Sequence, residues 1–324
     1  MEVAPTVSVI MPIYNEAAYI ERCMNSLVRQ TFPGERIEWL FIDGMSSDDT
    51  VEKLMAFSSS LNLQILKNKN RLVTYALNIG VQHAHGDYII RMDAHAEYPE
   101  NYIEKCVYYL EHTDADNVGG TVLTVGKGFI GEANADILSS KFGVGNSAFR
   151  IGCKSGYVDT VPFGAFRREI FEKIGLFNPD LPRSEDNEFN SRIRANGGKV
   201  YMAADIQTIY YCRDTVKGLL NQAVKNGDAL FLTLRKNPRA MRVRHYIPFI
   251  FVLSLLVGSL FAAFVPFIRW VLAAEGTLYV GLDILFSLMN GKKSHFIYKF
   301  FMYPLFHISY GIGSFIGLLN IRLY

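Results

Sequence analysis

Hydrophobic and polar positions follow two different patterns along the 324 residues. Up to about residue 240, short apolar runs alternate with amphipathic stretches; beyond it, long apolar runs dominate. Val7–Pro12 reads as a strand, and Asn15 offers an N-cap to a helix reaching about Gln30, with Ile20, Cys23, Met24 and Leu27 on one face. Ile37–Ile42 and Leu63–Leu66 read as two further strands and Thr74–His85 as a helix. Tyr88–Met92, behind the turn signal Gly86-Asp87, reads as a fourth strand. Strand and helix alternating over about ninety residues predict a doubly wound, mostly parallel, Rossmann-like α/β sheet. Ligands bind beyond the carboxyl ends of such strands, so right-handed crossovers gather Tyr14, Asn15, Asp43, Arg71 and Asp93 along one edge.

Pro99–His112 continues as a helix and Asn117–Val125 as a strand. The glycine-rich stretch Gly126–Gly156, with a helix over Glu132–Phe142, reads equally as a flexible lid over an acceptor or as a surface insertion. Asp159–Phe163 and the following Gly164-Ala165-Phe166 look like a strand entering a site, where the small Gly164 lets substrate approach the backbone. Arg168–Ile174 is a short helix. Ser184 is placed as an N-cap, Phe189 and Ile193 recur at helical spacing, and Asn196-Gly197-Gly198 ends that helix. Glu185 and Asp186 then sit in its first turn and point off the helix end. A helix dipole favours acidic residues there without any catalytic reason.

Ile247–Ile268 holds no charge over 22 positions, and about 20 helical residues cross a hydrocarbon core. Trp270–Met289, interrupted by Glu275 and Asp283, reads as a second span or as an interfacial or re-entrant helix. Phe296–Leu319, holding Lys299 and His307, is a third candidate. Arg235, Lys236, Arg239, Arg242, Arg244 and His245 precede the first segment, and Lys292 and Lys293 follow the second. The positive-inside rule makes the pair a hairpin returning to the cytoplasm and leaves the C-terminus outside if the third segment spans. The expected organisation is thus a catalytic domain over residues 1–240 and a membrane domain over 241–324 with two to three spanning or interfacial helices. The basic belt also suits anionic headgroups or a lipid diphosphate.

Lys and Arg number 33 against 31 acids, and a net charge of +2 argues against a nucleic-acid partner. Cys23, Cys106, Cys153 and Cys212 stand far apart without a Cys-x-x-Cys, which fits a reducing compartment and excludes a disulfide frame or zinc site. Met1–Thr6 is short and polar and reads as no secretory leader, placing the N-terminal domain in the cytoplasm. At the end of the fourth strand, Asp93-Ala-His95 resembles an Asp-x-Asp pair holding a divalent metal on a nucleotide diphosphate. The second acid is replaced by His, an acceptable ligand for manganese-like ions. Capping of the following helix is the plain alternative for Asp93.

Pro12-Ile-Tyr-Asn-Glu16, Asp43-Gly-Met-Ser-Ser-Asp-Asp-Thr50, Asn78-Ile-Gly80, Asp93-Ala-His95 and Glu185-Asp186 occur in the order and approximate spacing of family 2 glycosyltransferases with the GT-A fold. Arg91-Met-Asp-Ala-His-Ala96, Val158–Arg167 and Asp186–Asn190 most resemble the succinoglycan-type glucosyltransferase subgroup of exopolysaccharide assembly. The resemblance implies a membrane-bound, inverting enzyme at the inner (cytoplasmic) membrane, its catalytic domain facing the cytoplasm. Such an enzyme moves a hexose, glucose foremost, from a UDP-sugar to a polyprenyl-diphosphate-linked saccharide, alongside possible polysaccharide-assembly partners. On that resemblance Asp43 meets the uracil, the loop of Pro12, Tyr14, Asn15 and Glu16 together with Arg71 holds the nucleoside diphosphate, and Asp93 touches ribose and metal. His95 completes a Mn²⁺ or Mg²⁺ site, and Asp186, beside Glu185, is the base. The helix N-terminus is expected to depress the Asp186 pKa. Gln222 stands where processive synthases carry Gln-x-x-Arg-Trp; Lys225-Asn226 replaces Arg-Trp, favouring one sugar per encounter over a processive synthase. A non-catalytic scaffold keeping the fold is the other alternative. A sugar-1-phosphate nucleotidyltransferase needs a glycine-rich basic loop that Ile13–Glu16 is not.

Overall fold

A computed structural model describes residues 6–321; residues 1–5, which carry most of the polar stretch read as no leader, and residues 322–324 lie outside the described residues. The elements run β1 (Val7–Ile13), α1 (Ile20–Leu27), β2 (Ile37–Asp43), α2 (Thr50–Met55), β3 (Leu63–Lys67), α3 (Val73–His83), β4 (Tyr88–Arg91), β5 (Ala96–Glu97), α4 (Tyr102–His112) and β6 (Asn117–Val125). There follow α5 (Gly128–Leu138), α6 (Lys141–Val144), α7 (Ala148–Ile151), β7 (Gly156–Tyr157), β8 (Ala165–Arg167), α8 (Glu169–Ile174), α9 (Glu185–Ala195) and β9 (Val200–Tyr211). The last are α10 (Val216–Lys236), α11 (Val243–Ala262), α12 (Pro266–Met289) and α13 (Phe296–Leu318).

The chain divides into two compact units, one of Met1–Leu123 with Gly152–Tyr210 and one of Thr124–Ile151 with Tyr211–Tyr324. This division differs from a boundary at residue 240, because residues 124–151 and 211–240 pack with the C-terminal helices. In the first unit the sheet order is β3-β2-β1-β4-β8-β6-β9-β5, with β7 on β9. β1 pairs in parallel with β2 and β4, Val7 lying opposite both Ile37 and Tyr88, and β2 pairs in parallel with β3. β1 buries Val7, Val9, Ile10, Met11 and Ile13 on both faces, as a central parallel strand requires. The β4–β8, β8–β6, β9–β5 and β9–β7 pairs are antiparallel, so the sheet is mixed and its parallel half is the first four strands. β9 is not among the expected strands, although Val200, Met202, Ile206 and Thr208 are buried at alternating positions.

An aromatic knot anchors α9. Phe166, Phe171, Phe177 and Phe189 are buried, and the rings of Phe177 and Phe189 lie 4.4 Å apart. Arg192 donates to the Ile174 and Leu176 carbonyls, both at 2.7 Å, tying α9 to the end of α8. Removing the fully buried Phe189 ring by Phe189→Ala is expected to cost about 3–5 kcal/mol. Thermal unfolding of the detergent-solubilised chain measures it, and an unchanged midpoint would contradict the packing described.

In the second unit the part of the glycine-rich segment that forms α5 is packed against the C-terminal helices. Fully buried Asn134 donates to the Arg213 carbonyl and accepts from the Tyr298 hydroxyl, each at 2.8 Å. Asp136 meets His295 Nδ1 at 2.8 Å, so α5 is clamped to the start of α13. Its helix also starts earlier than expected, at Gly128. α10 and α13 approach backbone to backbone: a Cβ on Gly313 or Gly317 would strike the carbonyl oxygen of Val224 or Asp228.

α11 and α12 are, among the described residues, the helices long and apolar enough to cross a membrane. Leu256, Leu260, Phe267, Trp270 and Leu278 are exposed along them, and Phe264 between them. The uncharged run Ile247–Ile268 is not one helix: Pro266 has no N–H to continue α11, Val265 before it is extended, and the proline starts α12 instead. Inside α12, Glu275 accepts from Ser254 at 2.6 Å and Asp283 from Ser287 at 3.0 Å. The third expected span forms α13, whose Met302, Tyr303 and Phe306 are buried within the unit.

Candidate active site

The carboxyl ends of the four parallel strands open onto one cavity of about 170 Å³ in the first unit. Pro12, Tyr14 and Glu16 line it around the end of β1, Ile42 and Gly44 around the end of β2, Asn68 and Arg71 after β3, and Asp93 and His95 after β4. Two backbone loops are zipped together to form its wall. Asn15 takes a left-handed conformation, φ +54°; its N–H donates to Ser46 Oγ at 3.0 Å, and its Oδ1 accepts from Ser47 N–H at 2.9 Å. Asn15 therefore braces the β2–α2 loop and does not cap α1, which starts only at Ile20. Glu16 N–H donates to Thr50 Oγ1 at 2.7 Å. Asp43, nearly buried between the lining residues Ile42 and Gly44, accepts from Ser46 N–H at 3.0 Å. Arg71, also left-handed at φ +60°, places its guanidinium 5.7 Å from the Tyr14 ring centre. Left-handed non-glycine residues cost energy and concentrate where a ligand clamp needs the shape.

Beyond this wall the acids converge. Tyr98 holds the Asp93 backbone, its hydroxyl accepting from Asp93 N–H at 2.6 Å. His95 Nδ1 lies 3.4 Å from Glu16 Oε1, and its ring meets Tyr210 edge-on. Arg91 Nε reaches Asp93 Oδ1 at 3.2 Å, while its Nη1 reaches Glu185 Oε1 at 2.8 Å and Asp186 Oδ1 at 2.5 Å. Glu185 and Asp186 do open α9, but Ser184 is no side-chain cap: it is left-handed at φ +63° and makes no capping hydrogen bond.

The electrostatics reverse one expectation. Burial raises the Asp186 pKa to about 7; the Arg91 guanidinium opposes this, and neighbouring Glu185 and Asp93 add to it. The helix N-terminus is thus outweighed by burial and two like charges. Arg91 stays charged: burial disfavours it, but Asp186, Asp93 and Glu185 hold its pKa well above the usual arginine value.

Two expected site residues have other surroundings. At Gly164 a Cβ would strike the Asn117 carboxamide, so the space it leaves is filled by protein, and its carbonyl accepts from Arg91 N–H at 2.9 Å. Gln222 belongs to α10 in the second unit, with its Oε1 buried and no hydrogen-bond partner for it among the described residues. Asn68 and Arg91 are site residues that sequence reasoning passes over. Arg91 is detectable in principle, since a charge ending an apolar strand run needs a counter-charge.

No group of three or more His, Cys, Asp or Glu positioned to hold a metal occurs among the described residues. Asp93 and His95 nevertheless suit a cation whose remaining ligands are substrate phosphates, since such cations use one or two protein ligands. The three carboxylates around one guanidinium also leave the region anionic.

Comparison with known proteins agrees with this geometry. A protein from Methanococcus voltae, a dolichyl N-acetyl-alpha-D-glucosaminyl phosphate 3-beta-D-2,3-diacetamido-2,3-dideoxy-beta-D-glucuronosyltransferase, is 28% identical over 90% of this chain and 96% of its own. The succinoglycan biosynthesis protein ExoA of Rhizobium meliloti is 28% identical over 83% of each chain. Among solved structures, the mannosyltransferase PcManGT of Pyrobaculum calidifontis, in complex with GDP-Man and Mn²⁺, superposes with a TM-score of 0.67 at 18% identity, covering 99% of this chain and 89% of that one. Residues 1–349 of TarS from S. aureus, with UDP, superpose with a TM-score of 0.52 at 16% identity, over 98% and 93%. These likenesses establish a GT-A-like fold. The family model for glycosyl transferase family 2 matches residues 8–175, and the chain belongs to that family.

Proposed function

We propose that this chain is a membrane-bound inverting glycosyltransferase that moves a hexose, glucose by preference, from a UDP-sugar to a polyprenyl-phosphate- or diphosphate-linked saccharide in surface-polysaccharide assembly. The observation that carries the reading is the single constellation in which the cavity at the strand ends, Asp93 and the Glu185–Asp186 pair meet through Arg91. The names of the Methanococcus and Rhizobium relatives support a lipid-linked acceptor and a polysaccharide product. Helices α11 and α12, with basic residues before the first and after the second, support a hairpin through the cytoplasmic membrane and a catalytic unit on its cytoplasmic side.

In this reading Tyr14 and Arg71 grip the nucleoside and Asp43 meets the uracil. Asp93 and His95 would hold Mn²⁺ or Mg²⁺, which when bound supplies positive charge against the departing diphosphate. Asp186 takes the proton from the acceptor hydroxyl as that oxygen bonds to the anomeric carbon. The bond from that carbon to the diphosphate oxygen breaks on the opposite face, its electron pair leaving with UDP, and the centre inverts. The full chain in liposomes, given labelled UDP- and GDP-sugars and prenyl-linked acceptors, is expected to transfer one residue from a UDP-hexose with inversion. No transfer from any donor, a ladder of long products, or preference for GDP-sugars would overturn the corresponding part of the reading.

A further inference from the structure

Arg91 ends β4 and is 5% exposed. A guanidinium this deep is stable only when several acceptors meet its planar fork. The acceptors are split between two parts of the chain: Nε faces Asp93 after β4, and Nη1 faces both carboxylates that open α9. Asp186 lies in a helix turn that Ser184 does not cap through its side chain, and the 2.5 Å hydrogen bond it accepts comes from Arg91.

We propose that Arg91 is a positioning residue: it orients the Asp186 carboxylate toward the acceptor hydroxyl and ties that carboxylate to Asp93 on the donor side. The proposal rests on the reading of Asp186 as the base. A carboxylate released from this fork turns about its side-chain torsions, and a misplacement of about 1 Å costs on the order of 10²-fold in rate. A lysine keeps the positive charge but offers a point charge in place of the fork. It therefore separates simple neutralisation from orientation.

The test is a double-mutant cycle on the full chain, with folding checked by thermal unfolding. Arg91→Lys is expected to fold, melting below the native chain, and to keep donor KM within about threefold, yet to lower kcat by on the order of 10²-fold. In an Asp186→Asn background Arg91→Lys is expected to cause no further loss, since it acts through the group already removed. Native kcat in Arg91→Lys, equal loss in both backgrounds, or a raised donor KM with kcat intact would each overturn the proposal. If Arg91→Lys does not fold, Arg91→Gln takes its place with kcat read at the high-pH plateau, where Asp186 is ionised in both chains; a loss that disappears there reports only the missing charge and overturns the orienting role. Full transfer by Asp186→Asn alone overturns the base assignment itself. An inactive Asp186→Asn with any of the preceding results overturns only the role of Arg91.

Discussion

Asp186→Asn is expected to lower sugar transfer by about 10²–10⁴-fold, the usual contribution of a positioned general base, with nucleotide affinity nearly unchanged. The separation follows from placement: Asp186 opens α9, whereas the cavity is lined by residues around the ends of β1, β2, β3 and β4. Asn keeps the shape and an oxygen for Arg91, so the loss reports the missing proton acceptor. The pH dependence gives an independent reading. A base with a pKa near 7 is protonated in acid, so kcat/KM should rise with pH and level off above about 7. Stability should run the other way. The folded-state pKa lies above the ordinary aspartate value of 3.8, so folding favours the protonated acid, and that contribution is lost as pH rises through about 7. Asp186→Asn should accordingly melt above the native chain at pH 8, with the difference vanishing near pH 4. A flat rate profile, or a variant less stable than the native chain at pH 8, would show that Asp186 is not the strained acid described.

What the sequence discloses and what it hides differ by range. β1 to β4 are legible because each is a local apolar run and helices of the right period separate them, and parallel order follows from that alternation alone. That order also puts Tyr14, Arg71 and Asp93 at one edge, where the cavity is. The antiparallel half depends on partners far apart in the chain, such as Asn117 with Phe166 and Ala96 with Tyr210, which no local period announces. Asn78 stands in a legible motif whose purpose only the fold reveals. Its carboxamide exchanges two 2.9 Å hydrogen bonds with the Phe177 backbone and so supports the segment leading into α9. Caps mislead for a related reason. Asn15 and Ser184 have the right side chains for helix starts, but both adopt left-handed backbones that turn the chain into the site. The direction of the Asp186 pKa shift escapes sequence reasoning because the helix dipole is visible there, while burial beside two other acids is not.

Stripping divalent cations from the full chain is expected to abolish tight binding of UDP, measured by calorimetry in the absence of acceptor and therefore apart from turnover. Asp93→Asn should reproduce that loss at saturating Mn²⁺, because it removes the proposed anionic ligand and leaves Arg91 Nε facing a neutral amide. On the proposed reading, His95 is expected to set which ion serves. Its Nδ1 faces Glu16, an arrangement that orients metal-binding imidazoles and whose loss commonly costs 10–100-fold in metal affinity. Imidazole suits borderline transition ions, whereas Mg²⁺ favours oxygen, so the native chain should bind UDP more tightly with Mn²⁺ than with Mg²⁺. His95→Asp should narrow or reverse that preference by restoring an all-oxygen pair, and Glu16→Gln should weaken Mn²⁺-dependent binding by about tenfold. Nucleotide affinity indifferent to chelation, or a Mn²⁺ preference that survives His95→Asp, would remove the cation from this pair. The anionic surplus around Arg91 would then have to be neutralised by the protein's own protonation.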